Sequence, residues 1–324
     1  MKKFLALILA LVMALCLVAC GQENAPADDA AAPSEGANAS ADEIEIAVVL
    51  KCTTSEYWGY VQSGCEAAGK DLGVKVTVTG PNAESDVAEQ VNMIETAIGA
   101  GCDAIVCAPN DAGAAATALQ AAVDAGIPVL AVDTNVGMAG QTCFVGTMND
   151  VAAYQGGIWA ADQLDAGAKA VIIYGQEGDN TSNLRKEGYT KACEEKGIEV
   201  LDALSGQNTI DGAVKTMEDL LNKHGDAIDV VFCHNDDTAL GAAKVCEEAG
   251  YKDILIVGFD GNASALEAIA SGTSLVKATV AQQPTAMGYA VVENAVKAIK
   301  GESVDEVVAA DVVVVNADNV KDMM

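Results

Sequence analysis

Short apolar runs alternate with amphipathic stretches from residue 44 onward. The runs are rich in Val and Ile, which favour β-strands. The first four lie at residues 44–50, 74–79, 103–107 and 127–132. Between the second and third runs, Val87, Val91, Ile94 and Ile98 follow the spacing of one helix face. The pattern therefore predicts a repeated strand, helix, strand unit.

Several later runs are apolar on both strand faces. They lie at residues 170–174, 230–232 and 254–257. Strands of this kind are typical of parallel sheets that helices cover on both sides. About ten predicted strands fit two sheets of ordinary size better than one. We therefore predict an α/β fold with two doubly wound parallel-sheet lobes and a ligand cleft between them.

Polar residues follow several of the predicted strands directly. They are Lys51, Asn110, Asp111, Asp133, Asn235, Asp236, Asp237, Asp260 and Gln282. In open α/β sheets, ligands bind outside the carboxyl ends of the strands. We therefore expect these side chains to face the cleft.

The first 19 residues have the form of an export signal. Lys2 and Lys3 precede an apolar run from Phe4 to Ala19, which is shorter than the roughly 20 residues of a membrane-spanning helix. The stretch Leu17–Cys20 resembles the lipobox of bacterial lipoproteins, in which the chain is cut before the cysteine and the sulfur is acylated. We predict a lipoprotein signal peptide at residues 1–19 and lipidation of Cys20, with an ordinary secretory signal as the alternative.

The segment after Cys20 differs in composition from the rest of the chain. Residues 22–43 contain no Leu, Ile, Val or aromatic residue, so they cannot bury enough apolar surface to offset the cost of ordering. We predict that residues 20–43 comprise the lipidated cysteine and a disordered acidic tether.

The chain carries 47 acidic and 18 basic residues, giving a net charge of −29, and 51% of its residues are hydrophobic. Its field repels nucleic acids and anionic lipids, so nucleic acid is not an expected partner and membrane contact would come from the N-terminal lipid. We expect an exported monomer at the outer face of the cytoplasmic membrane, or in the periplasm. Arg185 is the only arginine among the basic residues.

Few residues are available for metal binding. The only histidines are His224 and His234. His234 could ligate a metal together with Asp236 and Asp237, but either aspartate could instead cap the helix predicted to begin near Thr238. We predict the cap, with no metal and no cofactor.

Asp133 and Asp260 leave a choice between cleaving a sugar and binding it. Paired carboxylates are the catalytic groups of most glycosidases. Carboxylates also accept hydrogen bonds from sugar hydroxyls, so the pair alone is compatible with either activity.

Two of the ten cysteines, Cys16 and Cys20, belong to the predicted signal and its cleavage site. The other eight show no CxxC spacing, and most lie at apolar strand or helix positions, so we predict small buried side chains for most of them. Because exported proteins can form disulfides, one bridge between Cys52 and Cys107 is an open alternative.

Several stretches share their order and sequence with one family. They are IAVVL at 46–50, Tyr57–Trp58 with Gly64, GIPVLAVD at 126–133, NDDTALGA at 235–242, VGFDG at 257–261, and ATVAQ at 278–282 with Pro284. Together they resemble the periplasmic sugar-binding proteins of the ribose-binding type, which feed ABC importers. The resemblance covers nearly all of residues 44–315.

The resemblance implies two lobes joined by three chain crossings, with the ligand buried when the lobes close. The first lobe would comprise residues 44–147 and 283–311, and the second residues 148–282 and 312–324. The implied ligand contacts are Lys51, Ser55, Tyr57, Trp58, Asp133 and Thr134 in the first lobe, Arg185, Asn208, Asn235 and Asp260 in the second, and Gln282 at the hinge. In this arrangement aromatic rings stack on the sugar, and planar polar groups bind its hydroxyls.

Three residues depart from the family's pattern. Relatives often have arginine where Thr134 stands, an aromatic residue where Asn208 stands, and a small polar residue where Lys51 stands. One side of the aromatic sandwich is therefore expected to be absent, and the identity of the sugar does not transfer. A lysine at the position of Lys51 is also a feature in which the chain resembles the binding proteins for autoinducer-2.

The implied function is that of a solute-binding protein without catalytic activity. It would capture a neutral monosaccharide or polyol for an ABC permease and its ATPase. The positive charges of Lys51 and Arg185 would balance the negative charges of Asp133 and Asp260, which leaves the pocket near neutral. A sensory receptor for a sugar-like signal is the first alternative, and a glycosidase is the second. Three of the implied ligand contacts have a purely structural alternative. Trp58 could be a core residue, Asp260 could cap a helix, and Lys51 could be a surface residue.

Overall fold

The computed structural model describes residues 43–324, so the predicted signal peptide, Cys20 and nearly all of the tether lie outside the described residues. The first part of the chain forms β1 (Glu45–Val49), α1 (Glu56–Leu72), β2 (Lys75–Thr79), α2 (Val87–Ala100), β3 (Ala104–Cys107), α3 (Ala112–Asp124), β4 (Val129–Val132) and β5 (Cys143–Thr147). The middle part forms α4 (Asn149–Ala161), β6 (Lys169–Tyr174), α5 (Asn180–Lys196), β7 (Glu199–Ser205), α6 (Ile210–His224), β8 (Val230–Cys233), α7 (Asp236–Glu248), β9 (Leu255–Asp260), α8 (Ala263–Ser271) and β10 (Val276–Ala281). The last part forms α9 (Pro284–Ile299), β11 (Val307–Ala310) and β12 (Val313–Asn316). Among residues 43–324, no helix combines the length and the apolarity needed to cross a membrane.

The strands form two six-stranded sheets, one in each lobe. The first has the order β11-β5-β4-β3-β1-β2, and all its neighbouring strands are parallel. The second has the order β12-β10-β9-β8-β6-β7 and is parallel except for the β10–β12 pair. The predicted α/β fold with two doubly wound lobes is confirmed.

Both faces of each sheet are buried under helices. In β3, Ala104 and Val106 pack with residues of α1 and α9, whereas Ile105 and Cys107 pack with residues of α2 and α3. Strand β8 alternates in the same way between two cores of the second lobe. This two-sided burial is why the runs are apolar at nearly every position.

The chain passes between the lobes at residues 147–149, 281–284 and 310–313. Side chains tie these crossings together. The Thr147 hydroxyl donates to Gln282 Oε1 at 2.5 Å, and Gln283 Nε2 donates to the carbonyl of Asp311 at 3.2 Å. The crossings therefore form one connected hinge.

The N-terminus of α7 corrects one prediction. Asn235, and not Asp236 or Asp237, caps the helix: its Oδ1 accepts from the amide of Thr238, and its own amide donates to the Thr238 hydroxyl, which forms a capping box. The Asp236 carboxylate is fully buried and instead accepts bonds from the amide of Asn262 and the hydroxyl of Thr279, both at 2.7 Å. The cap lies one residue earlier than predicted because Asn235 and Thr238 each satisfy the backbone amide of the other.

The eight cysteines in the described part of the chain are buried and form no disulfide. Cys107 and Cys233 lie inside β3 and β8, where they fill core positions. Cys52 and Cys107, the pair considered for a bridge, are both free thiols. Burial raises the pKa of the Cys107 thiol to about 12, which keeps it protonated and unreactive.

Two glycines let α1 and α9 approach closely. A Cβ at Gly64 would lie 2.0 Å from the carbonyl oxygen of Thr285, and a Cβ at Gly288 would lie 2.1 Å from that of Val61. Both obstacles are backbone atoms, which cannot rotate away. Gly64, part of a family-like stretch, therefore serves helix packing.

We expect Gly64→Ala to destabilise the protein by about 1–3 kcal/mol, because the added methyl must push the two helices apart. The measurement is the free energy of unfolding from urea titration. Gly59→Ala is the matched control on the same helix: nothing lies within 4 Å of a Cβ there, and alanine should stabilise the helix by roughly 0.5–1 kcal/mol. Equal stabilities of the two variants would contradict this account of the contact.

Candidate functional site

The carboxyl ends of the two sheets face each other across a small cavity. Its lining residues are Lys51, Ser55, Tyr57, Trp58, Glu84, Asp133, Thr181, Arg185, His234, Asn235 and Asp260. Because parallel strands all end at one edge, loops that are distant in sequence meet at this cleft.

Tyr57 and Asp133 form the centre of the first lobe's wall. The Tyr57 hydroxyl donates to Asp133 Oδ2 at 2.5 Å, and the Thr134 hydroxyl donates to Asp133 Oδ1 at 2.7 Å. Burial, together with the charge of Asp133, raises the pKa of Tyr57 well above its ordinary value. The phenol therefore stays protonated, and Asp133 is held by two hydroxyl donors.

Trp58 lies beside Tyr57 in an edge-to-face contact, with ring centres 5.2 Å apart and planes at 88°. Its indole Nε1 donates to Glu84 Oε1 at 2.8 Å. The ring is 4% exposed and also packs against the first lobe's core. Trp58 is thus a core residue on one side and part of the cavity wall on the other.

Arg185 lies on α5 and joins several loops of the second lobe. Its Nε donates to Asn149 Oδ1 at 2.8 Å, and its Nη1 donates to the carbonyl of His234 at 2.8 Å. The guanidinium lies 3.6 Å from the ring centre of Phe259 and 3.5 Å from Asp260 Oδ1. The Nε and Nη1 groups and one face of this buried guanidinium are therefore held by the protein.

Asp260 ends β9 and points into the cavity. Its Oδ1 accepts a bond from Gln282 Nε2 at 2.9 Å, whereas its Oδ2 accepts none from the described residues. Burial raises the pKa of Asp260 well above its ordinary value, although Arg185 opposes the shift. Asp260 does not cap α8, whose first residue follows Asn262.

Several contacts cross from one lobe to the other. Lys51 Nζ lies 2.8 Å from Asp179 Oδ2, and the pair is among the most buried charged groups, at 2% and 1% exposure. The Thr181 hydroxyl donates to Thr134 Oγ1 at 3.0 Å. At the rim, Asn208 Nδ2 donates to Glu84 Oε2 at 2.5 Å. These contacts show that the lobes are closed on each other.

The Lys51–Asp179 pair keeps both charges despite its burial. Burial alone would lower the pKa of Lys51, but the charges of Asp179, Glu84 and Asp133 raise it overall. Burial would raise the pKa of Asp179, but Lys51 and nearby groups lower it overall. His234, beside Asp179, is uncharged at neutral pH because burial and Arg185 hold its pKa well below the usual range.

Backbone strain concentrates at the cleft. Four non-glycine residues of the described chain adopt positive φ: Asp133 (63°), Gln207 (56°), Asn208 (58°) and Asp260 (119°). Asp and Asn tolerate this region better than most residues, and strained backbone clusters at functional sites. Three of the four are residues that the resemblance placed in the ligand site.

Residues 46–303 match the family described as periplasmic binding protein domain. The chain belongs to the periplasmic binding protein family. This periplasmic binding protein is 32% identical over 310 residues to the ribose import binding protein of Bacillus subtilis strain 168, covering 96% of this chain and 97% of that one. The resemblance predicted from the sequence is confirmed.

Solved structures give the same picture. An ABC transporter solute binding protein from Actinobacillus succinogenes 130z with bound D-allose has a TM-score of 0.80 and 27% identity, and the match covers 86% of this chain and 100% of that one. A solute binding protein from Bacillus halodurans C-125 with bound myo-inositol has a TM-score of 0.79 and 28% identity, and the match covers 86% of this chain and 96% of that one.

The structure of this periplasmic binding protein brings eight of the eleven sequence-predicted site residues to the cavity wall. They are Lys51, Ser55, Tyr57, Trp58, Asp133, Arg185, Asn235 and Asp260. The other three do not line the cavity but donate hydrogen bonds to residues that do: Thr134 to Asp133, Asn208 to Glu84, and Gln282 to Asp260. The surface alternative for Lys51 is wrong, because its partner in the other lobe buries it.

Sequence reasoning missed Glu84, Thr181, His234 as a wall residue, and Asp179 behind Lys51. Glu84 follows β2 and Asp179 follows β6, each within the loop beyond the strand end. Asp179 also caps α5 by accepting from the amide of Thr181, and this helix-start pattern was the available signal. With Glu84 and Asp179 added, the pocket is more acidic than the near-neutral pocket expected from four residues.

Metal binding at the cleft has no support from geometry. Within residues 43–324, no group of three or more His, Cys, Asp or Glu side chains is arranged to hold a metal ion. His234 contacts Asp179 at 3.8 Å, and Asp236 is turned towards Asn262 and Thr279.

We expect Asp179→Asn to weaken closure of the lobes, because the buried Lys51 charge loses its partner while the amide oxygen can still cap α5. Removing one partner of a buried pair costs about 3–5 kcal/mol if the other charge stays buried, and opening the lobes relieves that cost. The measurement is the radius of gyration of the ligand-free protein in solution scattering, which should increase.

Asp162→Asn is the control for this variant. It removes the same charge from an exposed ion pair with Lys196, which is worth at most about 1 kcal/mol, so the radius should stay at the wild-type value. A wild-type radius in Asp179→Asn would show that the buried pair does not hold the lobes together.

Proposed function

We propose that the protein binds a monosaccharide or polyol between its lobes. The observation that supports this most directly is the wall of the cleft, where aromatic faces and directional polar groups converge from both lobes. Tyr57 and Trp58 offer apolar ring surface, while Asp133, Asp260 and Arg185 offer planar acceptors and donors. Relatives and similar structures named for ribose, D-allose and myo-inositol support the same class of ligand.

Binding would work by a shift between open and closed lobes. A ligand that bonds to Asp133 in the first lobe and to Asp260 or Asn235 in the second is fully bound only when the lobes are closed. Such a ligand stabilises the closed form by its difference in affinity between the two forms. The connected hinge at the three crossings can accommodate this movement while each lobe stays rigid.

We propose that the bound solute is handed to an ABC permease with its ATPase. The ribose import binding protein of B. subtilis and the ABC transporter solute binding proteins among the solved structures support import over a sensory role. The same names support a binding protein without catalytic activity, in which Asp133 and Asp260 hold a sugar without cleaving it.

We propose that the mature protein is an exported monomer held to the membrane by lipid on Cys20. The support comes from the sequence, namely the apolar run at residues 4–19, the lipobox-like Leu17–Cys20 and the tether at residues 20–43. A single chain that closes its own cleft has no need of a second copy to complete the site.

A panel of pentoses, hexoses, hexitols and inositols, with autoinducer-2 included, tests the proposed ligand class. We expect at least one sugar or polyol to raise the melting temperature, because a ligand at 100 times its Kd stabilises the folded form by about 2.7 kcal/mol. A shift caused only by autoinducer-2 would support the sensory alternative, and the absence of any shift would refute sugar binding.

The two tryptophans provide a matched pair of variants for the same panel. Trp58→Ala should abolish the ligand-induced shift, because it removes ring surface from the cavity wall. Trp159 lies on α4 and packs against the second lobe's core, away from the cavity wall. The variant Trp159→Ala should therefore keep the ligand-induced shift. A full shift in Trp58→Ala would place the ligand elsewhere.

We expect Cys20→Ser to abolish lipid labelling of the protein in a bacterial host, because serine has no thiol to form the thioether that carries the lipid. Cys16→Ser, within the predicted signal, should keep the labelling. The measurement is the incorporation of labelled palmitate into the protein. Labelling of Cys20→Ser at the wild-type level would refute the anchor.

A further inference from the structure

The cleft contains more acidic side chains than basic ones. Its acidic groups are Glu84, Asp133, Asp179 and Asp260, and its basic groups are Lys51 and Arg185. His234 adds no charge at neutral pH, because its pKa lies well below the usual range through burial and the nearness of Arg185. The closed cavity therefore has an excess of negative charge.

The two basic groups are already paired. Lys51 lies 2.8 Å from Asp179, and Arg185 lies 3.5 Å from Asp260. Glu84 and Asp133 make no ion pair within the described part of the chain, and their hydrogen-bond donors are uncharged hydroxyl, indole and amide groups. Glu84 and Asp133 thus share the charge of Lys51 with Asp179, and neither forms an ion pair of its own within residues 43–324.

A second feature of the wall is a carboxylate oxygen that can accept a hydrogen bond from a ligand. Asp260 is 6% exposed, yet its Oδ2 accepts no hydrogen bond from residues 43–324. Burial and the charges of Asp236 and Asp133 raise its pKa, although Arg185 opposes them. The Asp260 carboxyl therefore lies in a wall that has more carboxylates than cations, and its Oδ2 faces the cavity.

The rim of the cleft is acidic as well. Glu56, at the start of α1, accepts from the amide of Ala263 across the cleft at 3.2 Å. Asp237, at the start of α7, has a pKa raised by burial and by the charges of Glu84 and Glu56. Glu56 in the first lobe and Asp237 in the second therefore add acidic groups close to Glu84.

We propose that the preferred ligand carries a protonated amine on its sugar or polyol frame. Hydroxyl groups can satisfy the lone pairs of the carboxylates but leave their charge uncompensated, and uncompensated charge is costly in a closed site. An ammonium group supplies both the donors and the charge, and charge-assisted hydrogen bonds are about twice as strong as neutral ones. This inference rests on the proposed sugar-binding function.

Matched pairs of ligands test the inference by titration calorimetry. The pairs are glucose with glucosamine, galactose with galactosamine, and glucitol with glucamine, at a pH below the amine pKa and at constant ionic strength. We expect the amine of at least one pair to bind about tenfold tighter or better, a difference of about 1.4 kcal/mol. N-acetylglucosamine keeps a substituent at the same carbon without the charge and should show no such gain.

Asp133→Asn shows whether the preference arises in the cleft. Asparagine tolerates the φ of 63° at this position and can accept from Tyr57 while donating to Thr134, so the variant removes charge with little change of shape. The readout is the ratio of the amine's affinity to that of its uncharged partner, which is insensitive to a loss of affinity that both ligands share. In Asp133→Asn this ratio should fall towards one. Glu302→Gln removes an exposed charge beyond the end of α9 and should keep the wild-type ratio.

Each outcome decides the matter. Tighter binding of an amine, lost in Asp133→Asn and kept in Glu302→Gln, supports the inference. If the uncharged member binds as tightly as the amine or tighter in every pair, the inference fails while sugar binding stands. An amine preference that survives Asp133→Asn unchanged would show that the Asp133 charge does not produce it and would also overturn the inference. If no sugar, polyol or amine binds, the proposed function fails, and the inference fails with it.

Discussion

The direction of the strands is the constraint on which the rest of the structure depends. Every neighbouring pair in the two sheets is parallel except β10 with β12, so nearly all strands of a lobe end at the same edge. The loops that leave those edges collect the polar residues, and the three crossings hold the two edges opposite each other. Residues as distant as Lys51 and Asp179 can therefore meet without any dedicated connecting element.

The cleft contributes little to stability and depends on the cores for support. Positive φ angles at Asp133, Asn208 and Asp260 cost on the order of 1–3 kcal/mol each. The Lys51–Asp179 pair is buried, and a buried ion pair is no more stabilising than well-packed apolar side chains would be. Apolar cores on both faces of each sheet offset these costs. Each lobe can then stay rigid while the hinge moves, and a ligand that bridges the lobes can be held by preformed walls.

Most of the strands that the sequence predicted are buried on both faces and have an unbroken apolar pattern, whereas the edge strand β2 was predicted from its β-branched residues. Strand β7, whose sequence is EVLDALS, lies at a sheet edge and is partly exposed along its length, so its pattern is weak. The same difference explains the site. Lys51 and Asp260 stand at strand ends and could be predicted from the pattern and the family resemblance. Glu84 and Asp179 stand further into their loops, and their roles depend on partners in the opposite lobe, which no local pattern encodes.

The single arginine shows how one position can require one residue type in a chain that otherwise uses lysine. Arg185 donates from Nε to the first residue of α4 and from Nη1 to the loop after β8, while its plane lies on Phe259 of β9. Lysine has one nitrogen at the end of a flexible chain and cannot make two divergent bonds while stacking on a ring. These contacts fix the position of Arg185 in the cavity wall and join α4, the loop after β8 and Asp260 of the second lobe.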